Sequence, residues 1–300
     1  MTTSLPILSS QRKRALVIGN NNYSRPESKL RHCINDANDF SDLLKSINFN
    51  VTLEFDLANV PMVTKIRDFS RSIVDGDLIL FYFSGHGYQV KDKNFLMPID
   101  DQEIETEEDV EDFAVCVETT MNIISKRSPS SVTLFILDCC RTYWPKKIAK
   151  TRGGADGKGL HSMEPPVGTF IQFACGPNRT ACDGAENERN GLFTKHLLRH
   201  ITYPNTDITQ IFRSVAYDVY KESDGTQRPL SVDGILHHGH VCLNESVVDP
   251  QPKLPAHTSG NQSTEDDLNT EIRVQHQFEK DFPKSFKEIY ISTWFLMLIH

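Results

Sequence analysis

The sequence has no excess of positive charge: 32 Lys and Arg stand against 40 Asp and Glu, a formal net charge of −8 over 300 residues. Binding to a nucleic acid or an anionic membrane depends on clustered basic side chains, so neither partner is expected. A basic polypeptide is the better electrostatic match. No apolar run approaches the ~18 residues that a membrane helix needs, and the apolar stretch 294–299 is far too short. The first 14 residues hold one small apolar patch (Leu5, Pro6, Ile7, Leu8) with charge after it, the reverse of a secretory signal. The seven cysteines (Cys33, Cys116, Cys139, Cys140, Cys175, Cys182, Cys242) lack zinc-site spacings and the even count of a disulfide scaffold. Reduced thiols in a cytosolic protein are the expectation. Both phosphate-binding glycine motifs, G-x-G-x-x-G and G-x-x-x-x-G-K-[ST], are missing after Gly19, which argues against a nucleotide-binding protein.

What is present is an alternation of apolar runs and helical patterns through the first 245 residues, the mark of an α/β domain with a mainly parallel sheet. Strands are predicted at 14–19 (RALVIG), 49–55, 78–83 (LILFYF), 132–137 (VTLFIL), 168–174 and 239–243, and helices at 36–47, 60–74, 113–125, 191–201 and 206–222. The third strand is expected to stop at Ser84-Gly85-His86-Gly87, where two glycines free the backbone to turn. Residues 88–100 read as a hairpin around the polar turn 91–94. A Lys- and Gly-rich loop spans 142–166, so that a domain over 13–244 would divide into a large portion (13–141) and a small one (167–244), after an N-terminal tail at 1–12. Residues 245–268 turn to Pro, Ser, Asn, Thr and charge, the composition of a flexible linker, and 269–300 is a further segment of unassigned role.

Active sites of parallel sheets gather at the carboxyl ends of strands. His86 follows the third strand and Cys140 the fourth, 54 positions apart in the chain but only one strand spacing apart in such a sheet. A thiol nucleophile with an imidazole to shuttle protons is the chemistry this pair suggests. Alone, a histidine beside an apolar strand is more often structural; the flanking glycines and the downstream cysteine motif favour catalysis.

RALVIGNNNY (14–23), LRHCINDA (30–37), SGHG (84–87), LDCCR (137–141) and NGLFT (190–194), in this order and spacing over roughly 13–243, resemble the caspase, paracaspase and metacaspase peptidases. The resemblance implies a caspase-like three-layer fold with a mainly parallel six-stranded sheet flanked by helices. It also implies a cysteine endopeptidase with His86 and Cys140 as its dyad. The cysteine motif is Asp-Cys-Cys-Arg-Thr, not the caspase Q-A-C-[RQG]-G, so this is a relative of the caspases proper. In the family the nucleophile lies two residues after the Asp and directly before the Arg. Strand alternation puts Asp138 and Cys140 on one side and Cys139 on the other, which agrees. Backbone N–H groups of Gly87 and Cys140 would hold the oxyanion, with no side chain at Gly87 to crowd a substrate.

Metacaspases and paracaspases are similar in using acidic residues to receive Arg or Lys before the scissile bond. Asp36 and Asp138 occupy the matching positions, with Cys33 and Ser84 as lining, so cleavage after Arg, with Lys weaker, is expected. Two features keep other specificities open: Thr180 stands where paracaspases carry a further Glu, and Arg31 adjoins the pocket stretch, which leaves an Asp-specific reading. Asp36 also reads as a helix N-cap, and Asp138 as a carboxylate held by backbone amides. The stretch 100–112 has nine carboxylates in thirteen residues; some metacaspases need calcium, but the EF-hand order is absent and a solvated acidic loop is expected, with no cofactor required. Lys150, Arg152 and Lys158 make the 142–166 loop a candidate for self-cleavage. A homodimer through an exposed edge strand of the small portion, taken as 239–243, is also expected, and a catalytically silent scaffold of the same fold is the alternative function.

Overall fold

A computed structural model describes residues 12–129, 131–140, 163–176, 187–236 and 239–245, with the backbone only for Cys140. The chain divides into two units, Met1–Ser246 and Val247–His300, and the described residues all belong to the first. The tail 1–11, most of the 142–166 loop, Thr180 and the segments beyond 245 lie outside the described residues.

The main sheet comprises β1 (Lys13–Gly19), β2 (Phe49–Phe55), β3 (Leu78–Val90), β6 (Val132–Cys140), β7 (Thr169–Phe173) and β8 (Leu230–Asp233), in the order β2-β1-β3-β6-β7-β8. All its neighbours are parallel except the β7–β8 pair. Two short strands, β4 (Lys93–Leu96) and β5 (Val115–Cys116), form an antiparallel annex on the far end of β3. The helices are α1 (Cys33–Ser46), α2 (Asn59–Ser72), α3 (Glu107–Phe113), α4 (Val117–Ser125), α5 (Leu192–His200) and α6 (Ile208–Glu222).

Strand alternation makes the layers. Ala15, Val17, Leu80, Tyr82, Leu134, Ile136 and Phe170 turn to one face and pack with Phe40 and Leu44 of α1, Phe193 and Leu197 of α5, and Phe212 and Val215 of α6. Their neighbours Leu16, Ile18, Ile79, Phe81, Phe135, Leu137 and Ile171 turn to the other face, against Met62, Ile66 and Phe69 of α2 and Met121 and Ile124 of α4. Each fully buried Leu, Ile or Phe stabilises the fold by about 1.5–3 kcal/mol, whereas an exposed pair such as Lys45–Asp42 contributes under ~1 kcal/mol. The two apolar faces therefore hold the fold.

Several expectations need correction. β3 does not stop at Ser84-Gly85-His86-Gly87; it runs extended to Val90, bonding β6 as far as His86↔Cys140 and β4 from Gly87↔Leu96 onward. Gly85 serves space and not turning, since a Cβ there would stand 2.8 Å from the Tyr23 hydroxyl and 2.7 Å from the Phe83 ring. The last strand is Leu230–Asp233, not 239–243, which makes only an isolated bridge between Cys242 and Asp207. Val241 and Leu243 are apolar because they enter the helix-side core. The expected edge strand thus moves to β8. The acidic stretch is not all loop: Thr106 and Asp109 form a reciprocal capping box that starts α3, and Val110 is buried; the expected helix 113–125 is shortened to α4, because Val115 and Cys116 form β5. The hairpin at 88–100 is present as β3 and β4.

Candidate active site

The register of the two central strands sets His86 directly beside Cys140, on neighbouring parallel strands. Such strands lie about 4.8 Å apart. His86 is buried at 4% exposure, with its ring against Tyr23 at a centroid distance of 4.5 Å. Its Nε2 is 2.7 Å from the Ser28 carbonyl oxygen. A carbonyl only accepts, so Nε2 carries the proton and Nδ1 is the basic nitrogen of the neutral ring. The main chain of the same residue is held too: its N–H donates to Tyr23 Oη at 2.8 Å, and its carbonyl accepts from Met97 N at 2.9 Å. Tyr23 Oη in turn donates to the Met97 carbonyl at 3.3 Å.

Those bonds also orient Gly87. Asn20 N donates to the Ser84 carbonyl and Met97 N to the His86 carbonyl, so β4 continues the side of β3 that β1 occupied. Gly87↔Leu96 is then a non-hydrogen-bonded pair, and the Gly87 N–H turns away from β4 toward the β6 side, where Cys140 ends the ladder.

The second cluster lies one step back along the same strands. Tyr82, Ser84 and His86 share a face of β3, and Ser84 pairs in register with Asp138 of β6. Asp36, in the first turn of α1, reaches the same place. Its Oδ1 accepts from Gly191 N at 3.0 Å and its Oδ2 from Ser84 Oγ at 3.3 Å. Asp138 Oδ2 accepts from Thr194 Oγ1 at 2.6 Å. Asp36 is 2% exposed and Asp138 7%. The two carboxylates converge: a Cβ on Gly191 would stand 3.2 Å from Asp36 Oδ2 and 4.0 Å from Asp138 Oδ2. Burial, and next the charge of Asp138, push the Asp36 carboxyl well above the usual carboxylate range.

Asp36 is not the N-cap of its helix; that position is His32. Asp138 accepts from a side-chain hydroxyl, that of Thr194. Cys33 is buried at the start of α1, Cys139 is buried on the opposite face among Ile18, Phe83 and Leu137, and Arg31 is exposed. The loop carrying Gly191 is pinned to α1 by a bidentate pair, Arg189 to Asp39 at 2.6 and 2.7 Å, which holds the Asp39 carboxyl below its usual range. Tyr23, Ser28, Gly191, Thr194 and Tyr82 were not assigned from sequence. Tyr23, Gly191 and Thr194 lie inside the runs NNNY and NGLFT, which were the signal available. Among the described residues no group of three or more His, Cys, Asp or Glu side chains is arranged to hold a metal ion, and no helix is long and apolar enough to cross a membrane.

The caspase domain family model matches residues 12–236. The chain belongs to the caspase domain family, a family of cysteine peptidases. Over 140 residues it is 29% identical to human mucosa-associated lymphoid tissue lymphoma translocation protein 1, covering 47% of this chain and 16% of that protein. The mouse homologue is 28% identical over 129 residues, 43% of this chain and 15% of its own length. The chain thus spans about a sixth of the curated relatives it matches. Its fold is that of caspase-1 from Spodoptera frugiperda, with a TM-score of 0.59 at 14% identity over 79% of this chain and 93% of that one. A structure described as pro-sf-caspase-1 aligns with a TM-score of 0.58 at 14% identity, over 79% and 91% of the two chains. In this caspase domain the His86↔Cys140 pair and the Ser84↔Asp138 pair, where Asp36 also reaches, stand two residues apart on the same two strands.

Proposed function

We propose that this caspase domain is an endopeptidase that cleaves after Arg, and less well after Lys, with Cys140 as nucleophile and His86 as general acid and base. The observation that carries the reading is the convergence of two buried carboxylates, Asp36 and Asp138, one step from the His86↔Cys140 pair. A site that buries two negative groups beside a candidate nucleophile suits a planar cation, because a guanidinium fork bonds both carboxylates at once, and it repels an acidic side chain. An ammonium makes fewer fixed bonds.

The chemistry follows from the histidine's tautomer. Nδ1 of His86 takes the thiol proton, and the thiolate of Cys140 attacks the scissile carbonyl carbon. The oxyanion that forms is received by the N–H groups of Gly87 and Cys140. The C–N bond breaks as His86 returns the proton to the leaving amine, which leaves a thioester. His86 then deprotonates a water that attacks the thioester, releasing the carboxylate product and the thiol. Ser28 holds Nε2 throughout, so the ring keeps one orientation. The same reading places the protein in the reducing cytosol, where its thiols persist, and pairs two copies through β8, one of the two edges of the sheet among the described strands.

Hydrolysis of matched fluorogenic peptides ending in Arg, Lys or Asp tests this, with the wild type and Cys140→Ala, with and without calcium. Cleavage after Arg that Cys140→Ala abolishes is the expected result. Cleavage after Asp overturns the pocket, and inactivity on all three peptides leaves the chain a scaffold of the caspase fold.

A further inference from the structure

We infer that Thr194 and Tyr82 are specificity-determining positioning residues: they fix the carboxylate of Asp138 in the orientation that selects arginine over lysine. The inference rests on the proposed arginine pocket and assigns residues that do not themselves touch the substrate.

Tyr82 lies in the centre of β3 and Thr194 on the inner face of α5, both fully buried in the helix-side core among Leu, Phe and Val side chains. Phe and Val would fill those positions without a polar group to satisfy. A buried hydroxyl costs stability unless it is paired, so two of them in one apolar layer call for a reason. Their pairing supplies one. Tyr82 Oη lies 2.6 Å from Thr194 Oγ1, which lies 2.6 Å from Asp138 Oδ2. The threonine hydroxyl has one hydrogen, and a carboxylate only accepts, so that hydrogen goes to Asp138. Thr194 must then accept from Tyr82. The result is a one-way chain from the Tyr82 hydroxyl through Thr194 to Asp138, and each bond strengthens the next.

The chain ends on only one of the two pocket carboxylates. Asp36 has its own holders, Gly191 N and Ser84 Oγ. Both carboxylates are thereby locked in rotation, from β3 and the start of α5. Rotational locking matters little to an ammonium, a compact charge with three rotatable donors. A guanidinium presents its donors in a fixed plane, so two carboxylates must both hold their angle to meet it. Loosening Asp138 should therefore harm arginine more than lysine.

The test uses the full chain with Cys140→Ala, so that binding is read without turnover, and measures arginyl and lysyl peptides by calorimetry. Thr194→Val keeps shape and burial and removes the hydroxyl. It is expected to weaken the arginyl peptide about 10-fold or more, the effect of one charge-assisted hydrogen bond, and the lysyl peptide by a much smaller factor. Thr194→Ser restores the arginine preference, and Tyr82→Phe gives a smaller shift in the same direction. Equal weakening of both peptides, or a lowered melting temperature with an unchanged arginine-to-lysine ratio, overturns the inference and leaves the hydroxyls as mutual core partners. If the parent binds neither basic peptide better than an aspartyl one, the arginine pocket itself falls, and this inference with it.

Discussion

Asp36 of α1 and Asp138 of β6, 102 residues apart in the chain, bring a carboxylate oxygen each to within 4.0 Å of one point above Gly191. Two buried like charges at one point repel, and the strain falls on Asp36, whose carboxyl is raised well above the ordinary range by burial first and by Asp138 second.

Replacing Asp36 with Asn is therefore expected to stabilise the free protein while abolishing cleavage after Arg. An Asp whose folded pKa is raised gives its full stability below the unfolded value and loses it as pH rises through the folded one. The Asn variant escapes that loss. Its melting temperature should exceed the wild type's at about pH 8, and the difference should vanish at about pH 3, where an unfolded Asp also holds its proton. A lower melting temperature for Asp36→Asn at pH 8 would mean that the two hydrogen bonds the carboxylate accepts, from Gly191 N and Ser84 Oγ, outweigh the repulsion.

Substrate affinity should follow the same carboxyl in the opposite sense. As pH falls into the raised range of Asp36, the pocket loses charge, so KM for an arginyl peptide rises at a pH above that of ordinary carboxylates. KM of the wild type measured across pH 8 to 5 checks this; a flat profile counts against it.

Gly191→Ala places a methyl where the guanidinium is to sit, 3.2 Å from Asp36 Oδ2. The backbone there has φ −60°, which alanine adopts freely, so any stability cost comes from the close contact with the Asp36 carboxylate and not from the main chain. Arginyl-peptide kcat/KM should drop by roughly 10²-fold, the scale of a small displacement at a reacting complex. Steady-state kinetics beside a melting curve separates the two effects.

Tyr23→Phe removes the acceptor of the His86 N–H. Leaving that buried donor unpaired costs about 1–3 kcal/mol of stability. The imidazole loses its main-chain anchor as well, so kcat is expected to fall with KM little changed. A change confined to KM would place Tyr23 in substrate binding instead.

Much of this arrangement could be read in advance, because the signals were local. The continuous apolar runs of β1, β3, β6 and β7 have no other home than a sheet covered on both faces, and they set His86 and Cys140 side by side on neighbouring strands. What escaped was decided by partners distant in the chain. Leu-Ser-Val-Asp at β8 is short and half polar, while Val241 and Leu243 are more apolar, yet only the former finds β7. The capping box at Thr106 and Asp109 was visible, but the density of charge around it reads as loop. Tyr82 and Thr194 look like ordinary members of an apolar strand and helix; their hydroxyls acquire meaning only when the fold brings together positions 112 apart in the chain.

Within β3, the amide proton of His86 is given to the Tyr23 phenol. Hydrogen–deuterium exchange at that single position therefore does not follow the sheet's own opening. It reports whether the Tyr23 ring has left its seat, so the readiness of the imidazole can be followed residue by residue in solution without any substrate present.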